Sequence, residues 1–283
     1  MSVILCTAGY DHKIRFWEAP SGIISRTLRY PDSQVNCLSI SPDKRFLAAG
    51  GNPHIRIFDI ETPNNNCIVN CEGHTGAVTQ VGFQAHDRWL YSSSEDGTIK
   101  IFDLRTSPHH PQRSFDCGKN VAVNSVVLYD TSTCNNQAEN KSASTPTTQM
   151  GLVSGDSNGT VKIWDLGTSK CINSLHPAAL ERRRTKEPIQ NVDLSGNHLV
   201  ATSSRGTVYV WDVSSNNGDV SSSLTDLKPL VKFQAHSKCA YLLKARISPD
   251  GMSLVTTSSD TSIKLWDTKT WECSQVLQSH TKW

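Results

Sequence analysis

Residues Ser94–Asp103 read SEDGTIKIFD, a polar turn followed by a strand of alternating apolar residues that ends on an aromatic residue next to an acid. The same phrase occurs six times along the chain. Internal repetition at a fixed period is the strongest indication of architecture that a sequence can carry. The aromatic residue of each copy marks the repeat, and the six are Trp17, Phe58, Phe102, Trp164, Trp211 and Trp266.

The spacing of these aromatic residues predicts the fold. Successive copies are 41, 44, 62, 47 and 55 residues apart. Two polar stretches lengthen the long steps, and leaving out residues 130–149 and 214–226 reduces both steps to 42. A WD-repeat β-propeller blade has a period of about 40–45 residues. The alternation within each copy is that of a strand. We therefore predict an all-β WD40 propeller with six recognisable blades.

We expect one domain over residues 1–283, because each blade needs its neighbours to cover its second apolar face. Residues 130–149 should loop out between the first and second strands of the fourth blade. The predicted ranges are blade 1 at about 1–30, blade 2 at 31–72, blade 3 at 73–117, blade 4 at 118–176 with the insertion 130–149, blade 5 at 188–235, blade 6 at 236–279 and the start of a blade 7 at 280–283.

The two ends of the sequence bear on how the ring closes. Residues 3–29 hold only three strands, and in closed propellers a missing partner strand comes from the far end of the chain. Residues 280–283 resemble the beginning of a seventh blade that does not continue. A truncated form and an open ring with two unpaired edges are both possible explanations. Either one predicts a chain that is less stable alone than a full propeller.

Two histidine–aspartate sets recur within the repeat. His74 precedes the first strand of blade 3, and Asp96 lies in the turn before Phe102; blade 6 repeats this with His236, Asp260 and Trp266. A catalytic pair would occur once, whereas a repeated pair suits a hydrogen bond that ties two connections of one blade together. We predict a structural role. Blades 2, 4 and 5 lack the glycine–histidine pair and should be held mostly by packing.

Composition excludes several function classes. A formal net charge of +2 argues against a general nucleic-acid binder, and no apolar run approaches the ~20 residues of a membrane-spanning helix. Nine scattered cysteines do not form a disulfide framework, so we expect reduced and mostly buried thiols in a cytoplasmic protein. The sequence contains no nucleotide-binding or metalloprotease motif. We predict no catalytic, metal or cofactor site.

Several longer phrases are more specific than the repeat itself. They are AGYDH at 8–12, IRFW at 14–17, PDSQVN at 31–36, GNPHIR at 51–56 and SEDGT at 94–98. With them the chain closely resembles the Gβ-like WD-repeat subunit of TOR kinase complexes, most strongly over its first 105 residues. The resemblance implies a seven-bladed propeller, here with its seventh blade truncated. It also implies a non-catalytic scaffold that binds the TOR kinase domain and other TOR complex subunits, in the cytoplasm or at endomembranes through the complex.

The turns before each third strand are the candidate contacts with such a partner. Tyrosine and arginine are favoured anchors at interfaces, although turn geometry alone could explain two of the residues, Tyr10 and Asn52. The alternative function is a WD-repeat adaptor that reads peptides or phosphopeptides, which would need a ring of basic residues. The sequence offers few: Arg205, Lys119, Lys238 and the cluster at 182–184. The candidate contacts are Tyr10, Asn52, His54, Glu95, Arg205 and Lys238.

Overall fold

A computed structural model describes residues 4–84, 89–130, 150–177, 187–213, 227–237 and 242–278. These residues form 23 β-strands and, within those ranges, no helix that is long and apolar enough to cross a membrane. The chain divides into two compact units, 1–123 and 124–283. Four features predicted from the sequence lie wholly or largely outside the described residues: the insertion after Asp130, the basic cluster at 182–184, Lys238 and the segment 280–283.

The first unit contains three antiparallel sheets, each built from strands that follow one another in the chain. The first sheet has three strands and the other two have four. The strands are β1 (Ile4–Ala8), β2 (Lys13–Glu18) and β3 (Ile23–Arg29); β4 (Cys37–Ile40), β5 (Phe46–Gly50), β6 (Ile55–Asp59) and β7 (Val69–Cys71); and β8 (Val78–Phe83), β9 (Trp89–Ser94), β10 (Thr98–Asp103) and β11 (Arg113–Asp116).

The second unit contains three four-stranded antiparallel sheets of the same kind. The first strand, β12, begins at the boundary residue Val123, and the predicted insertion falls between β12 and β13. The strands are β12 (Val123–Asp130), β13 (Met150–Asp156), β14 (Val161–Asp165) and β15 (Lys170–Leu175); β16 (Ile189–Ser195), β17 (His198–Ser203), β18 (Thr207–Asp212) and β19 (Lys228–Gln234); and β20 (Leu242–Ile247), β21 (Ser253–Ser258), β22 (Ser262–Asp267) and β23 (Cys273–Gln278).

These six sheets confirm the predicted fold class, an all-β WD40 propeller with six blades. The phrase that recurs in the sequence is the turn into the third strand, followed by that strand, in each four-stranded sheet; in the three-stranded sheet it is the turn into β2, followed by β2. The strands of each sheet lie inside one of the six blade ranges, which we keep as proposed boundaries.

The third strand of blade 5, β18, is buried on both faces. On β18, Val208 and Val210 pack in a core cluster with residues of β20 and β21, while Tyr209 and Trp211 pack in a second cluster with β13 and β14. All four side chains are at most 3% exposed. A strand buried on both faces is apolar at successive positions, which explains why the repeated phrase ends on an apolar–aromatic pair.

Side-chain hydrogen bonds join the first strands of successive blades within each unit. In the first unit, Asn36 Nδ2 donates to the carbonyl of Val78 at 3.2 Å. In the second unit, Asn124 and Asn191 do the same to the carbonyls of Ile189 and Ala245, each at 2.8 Å. These bonds satisfy carbonyls at the point where neighbouring sheets meet.

The cysteines differ from the sequence prediction. All seven described cysteines are free thiols, but only two are buried, so the expectation of mostly buried thiols is wrong for this part of the chain. Burial raises the pKa of Cys71 to about 12 and that of Cys6 to about 11, which keeps both in the protonated form. The buried ones are Cys71 and Cys117, the exposed ones Cys67, Cys171 and Cys273, and the intermediate ones Cys6 and Cys37.

The turn before β22 carries a strained residue. Thr261 has φ = 67° and donates its backbone N–H to the carbonyl of Ser258 at 3.2 Å. In the corresponding turn of the preceding blade, Gly206 has φ = 81° and makes the same bond to Ser203 at 3.2 Å. A left-handed conformation costs a residue other than glycine roughly 1–2 kcal/mol, and more is expected of a β-branched residue.

We expect Thr261→Gly to raise the free energy of unfolding by about 0.5–1 kcal/mol, which is the relieved strain less the added freedom of glycine in the unfolded chain. The reverse change, Gly206→Thr, is the matched control and should lower it, since a Cβ there would lie 3.0 Å from the carbonyl oxygen of His236. Denaturant titration of both variants measures the two changes. An unchanged or lower stability of Thr261→Gly would contradict the account.

Candidate interaction surface

The first histidine set lies in the sheet β8–β11. His74 Nδ1 lies 2.8 Å from Asp96 Oδ2, and His74 Nε2 lies 2.8 Å from the hydroxyl of Ser92. Asp96 also accepts the backbone N–H of Thr75 at 3.0 Å and the hydroxyl of Thr98 at 2.6 Å. One carboxylate therefore ties the segment before β8 to the turn between β9 and β10.

The second set, in the sheet β20–β23, contains one more hydrogen bond than the first. His236 Nδ1 lies 3.0 Å from Asp260 Oδ2, and Nε2 lies 2.9 Å from the hydroxyl of Thr256. Trp266 Nε1 donates to that same hydroxyl at 3.0 Å. Phe102 has no N–H to offer, so the set in blade 3 ends at its serine.

Sequence reasoning missed the two hydroxyl residues, Ser92 and Thr256. Each lies ten residues before the aromatic residue of its blade. The same spacing brings the indole N–H of Trp17 to the hydroxyl of Thr7 at 2.7 Å and that of Trp164 to the hydroxyl of Ser154 at 2.9 Å. A serine or threonine ten positions before the repeated aromatic residue is the signal that could have revealed them.

The electrostatics of both sets keep the negative charge on the carboxylate. Burial alone would raise the pKa of Asp96, but the hydrogen bonds from His74, Thr98 and Thr75 outweigh it and hold the pKa well below its usual range. The same balance in blade 6 lowers the pKa of Asp260 to about 2. Because both nitrogens of each ring are engaged within the sheet, neither is presented to a substrate. We propose a structural role for both sets.

His236 should make stability depend on pH. Burial lowers the pKa of His236 against the opposing effect of Asp260, so the folded chain binds this proton less readily than the unfolded chain does. The contribution of the neutral ring is therefore present above the unfolded pKa of about 6.5 and is lost as pH falls below it. We expect the free energy of unfolding to fall between pH 7.5 and pH 5.5, and to fall less in His236→Gln.

Denaturant titrations at several pH values test this expectation. His110→Gln, at an exposed loop position, is the control and should keep the slope of the parent chain. Equal pH slopes for the parent chain and His236→Gln would refute the assignment.

Blade 2, which lacks the glycine–histidine pair, also has a polar lock; that packing mostly holds it stays a prediction. Arg56 on β6 donates to the carbonyl of Pro31 at 2.7 Å and to Asp32 Oδ2 at 2.8 Å. Its guanidinium lies 4.8 Å from the ring centroid of Tyr30, whose hydroxyl donates to the carbonyl of His54 at 2.7 Å. The arginine side chain is only 10% exposed.

Blades 4 and 5 have polar locks built from different residues, and the prediction that packing mostly holds them is likewise not tested. In blade 4, the carboxylate of Asp156 is buried, accepts the backbone N–H of Thr160 at 2.9 Å and lies 3.8 Å from Lys162 Nζ. In blade 5, Gln234 Nε2 donates to the carbonyls of Arg205 at 2.6 Å and His236 at 2.7 Å. The connections of each blade are therefore fixed by a polar side chain, and only the chemistry of that side chain differs.

The candidate contact residues that the structure describes lie in the turns that lead into the strands of the repeated phrase. In the first unit, Tyr10 is 84% exposed in the turn β1–β2, and Glu95 is exposed in the turn β9–β10. Asn52 is exposed in the turn β5–β6, with its backbone N–H bonded to the hydroxyl of Ser33, whereas His54 is partly buried. The imidazole Nδ1 of His54 is buried and has no hydrogen-bond partner among the described residues.

In the second unit, Arg205 is exposed in the turn β17–β18, and its guanidinium lies 3.5 Å from the carboxylate of Glu187. Lys238 lies outside the described residues. Among the residues that the structure describes, no group of three histidine, cysteine, aspartate or glutamate side chains could hold a metal ion. The described turns thus offer exposed aromatic and polar groups.

Comparison with known proteins places the chain in a family. The WD domain, G-beta repeat model matches residues 22–59, 65–103 and 111–165, and the Hira model, TUP1-like enhancer of split, matches 177–271. "Target of rapamycin complex subunit wat1" of Schizosaccharomyces pombe is 40% identical over 95% of this chain and 75% of the relative. "Target of rapamycin complex subunit LST8" of Mus musculus is 37% identical over 94% of this chain and 73% of the relative.

"Target of rapamycin complex subunit LST8-1" of Arabidopsis thaliana is 40% identical over the whole of this chain and 82% of the relative. The similarity therefore extends along the full described chain, across relatives from fungi, animals and plants. It agrees with the phrases in blades 1 to 3 that carry the resemblance in the sequence. The chain belongs to the WD40-repeat family of target of rapamycin complex subunits that includes LST8 and wat1.

Proposed function

We propose that this chain is a subunit of a target of rapamycin complex and acts there as a non-catalytic scaffold that binds the kinase domain. The observation that carries the proposal is the family: relatives named as target of rapamycin complex subunits match nearly the whole chain at 37–40% identity. The partners would be the kinase domain and other subunits, in the cytoplasm or at endomembranes through the complex.

The geometry of the blades supports a scaffold. Side chains engaged within each sheet fix the turns between second and third strands, as Asp96 does through His74 and Asp260 through His236. Turns held in this way lose little conformational freedom when a partner binds, which favours affinity. The two histidine rings are occupied by these bonds, which argues against their use in catalysis.

Tyr10 is the contact that we propose first. It is a large aromatic side chain, 84% exposed, on a turn whose neighbours Asp11 and Arg15 form an ion pair. Tyrosine combines a large apolar surface with a hydroxyl and is enriched among the residues that dominate binding energy. The remaining contacts that we propose are Asn52, His54, Glu95, Arg205 and Lys238.

The peptide-adaptor alternative has less support. Arg205, one of the few basic residues available to it, lies within reach of Glu187, which would compete with a phosphate for the guanidinium. The scaffold is therefore the function that we propose, and binding of a phosphopeptide would instead support the adaptor.

Co-purification tests the proposal. We expect the chain to be captured by a TOR kinase domain, and Tyr10→Ala to weaken capture about tenfold or more, as truncation of an interface anchor does. Ile40→Ala is the matched control, because Ile40 is an exposed apolar side chain at the other end of its own sheet and should leave capture unchanged.

Dissociation constants from biolayer interferometry give the comparison. Failure of the parent chain to bind the kinase domain would reject the scaffold. Binding that is insensitive to Tyr10→Ala would leave the partner in place but reject this contact.

A further inference from the structure

The register of the six blades lines up their outermost strands residue by residue. In each blade, one residue of the outer strand pairs with the residue two positions before the repeated aromatic residue. That partner is a lysine or arginine in five blades and Tyr209 in blade 5. Five of the six outer-strand residues at this position are polar and the sixth is Val276, which is 51% exposed. The series is Thr27, Asn70, Ser114, Ser174, Lys232 and Val276.

Exposed strand edges recruit other strands, and proteins protect them with charges, proline, short strands or a covering loop. Four outer strands carry such protection in their sequence: β3 holds two arginines, β11 an arginine and an aspartate, β15 a lysine, and β19 two lysines and a proline. The strand β7 is three residues long, and His109 covers its edge by accepting the N–H of Glu72 at 2.7 Å.

Within the described residues, the last outer strand, β23, has none of these devices. Its sequence CSQVLQ contains no charge and no proline, and all six residues are exposed. Within the part of the chain that the structure describes, β22 is the only strand that pairs with it. Because side chains alternate along a strand, Val276 and Leu277 point to opposite faces of β23.

We propose that β23 is an association surface on which two copies of this chain pair edge to edge, antiparallel, about a two-fold axis at Val276. Two-fold pairing sets Val276 opposite its own copy, and it sets Gln275 opposite Leu277 and Ser274 opposite Gln278. A closed two-fold contact uses one patch twice, so it requires a strand that is compatible with itself. The proposal does not depend on the proposed function.

Charge favours a second copy as the occupant. Any charged residue at the axis would face itself, and like charges directly opposite are destabilising, but β23 carries none. The cation paired with Val276 on the inner side is Lys264, which donates to the carbonyl of Ala235 at 2.8 Å. The two copies of Lys264 would lie three strand spacings apart, about 14 Å, where salt screens their repulsion. An uncharged strand also offers no group that would select a particular foreign peptide.

Sedimentation velocity of the full chain, from low concentration to ~500 µM, is the first measurement, because it detects dissociation constants up to the millimolar range. We expect reversible monomer–dimer exchange. Val276→Lys and Val276→Glu should each raise the dissociation constant about tenfold or more, because both place like charges at the axis. Lysine at this position is compatible with the blade, since Lys232 holds it in β19.

An equimolar mixture of Val276→Lys and Val276→Glu is the decisive test. We expect the mixture to dimerise again, because opposite charges then face each other. The matched controls, Ile172→Lys and Ile172→Glu on β15, alter an exposed apolar residue of another outer strand and should change nothing.

Three outcomes would overturn the proposal. A monomeric parent chain at all concentrations would reject self-association. A dimer that persists in both charge variants would assign it to a different surface. A mixture that stays monomeric would reject the two-fold pairing at Val276, and capture of a foreign strand by β23 would then be the competing explanation.

Discussion

The burial of central strands between neighbouring sheets, complete on both faces of β18, is the constraint on which the structure depends. On β18, two valines pack towards one neighbouring sheet while Tyr209 and Trp211 pack towards the other, so no sheet can bury its own apolar surface alone. Hydrophobic burial therefore stabilises the contacts between sheets as much as the sheets themselves. It also leaves polar backbone groups at those contacts, and the bonds from residues such as Asn36 and Asn124 satisfy them.

The polar locks follow from the same constraint. Once the sheets are packed, the connections around the third strand lie against buried surface, where an unpaired polar group costs about 1–3 kcal/mol. The chain meets this requirement with a histidine and an aspartate in blades 3 and 6 but with Arg56, Asp156 or Gln234 elsewhere. The constraint thus fixes the position of a polar partner but not its chemistry, and packing against neighbouring sheets tolerates the variation.

Because packing and the polar locks leave many residues of the turns and outer strands exposed, these segments can carry functional residues. Turn residues such as Tyr10 and Glu95 contribute little to the cores and are exposed, which suits contact with a partner. Packing also leaves much of the outer-strand sequence unconstrained, and most outer strands carry residues that protect their edges. The uncharged strand β23, with Val276 at its centre, departs from that pattern. An apolar residue at a position that is otherwise polar is informative because packing does not require it there.

The sequence by itself determined the strands, the blade period, the two histidine–aspartate sets and the family, because each is written locally or repeats at a fixed spacing. It also led to the prediction of the turns that we propose as partner contacts. Only the tertiary structure decided which groups fill the remaining polar positions, such as Ser92 beside His74 and Asp32 beside Arg56, because these partners are distant in sequence. It likewise decided the exposure of three cysteines and of Val276, since burial depends on which sheet covers a strand.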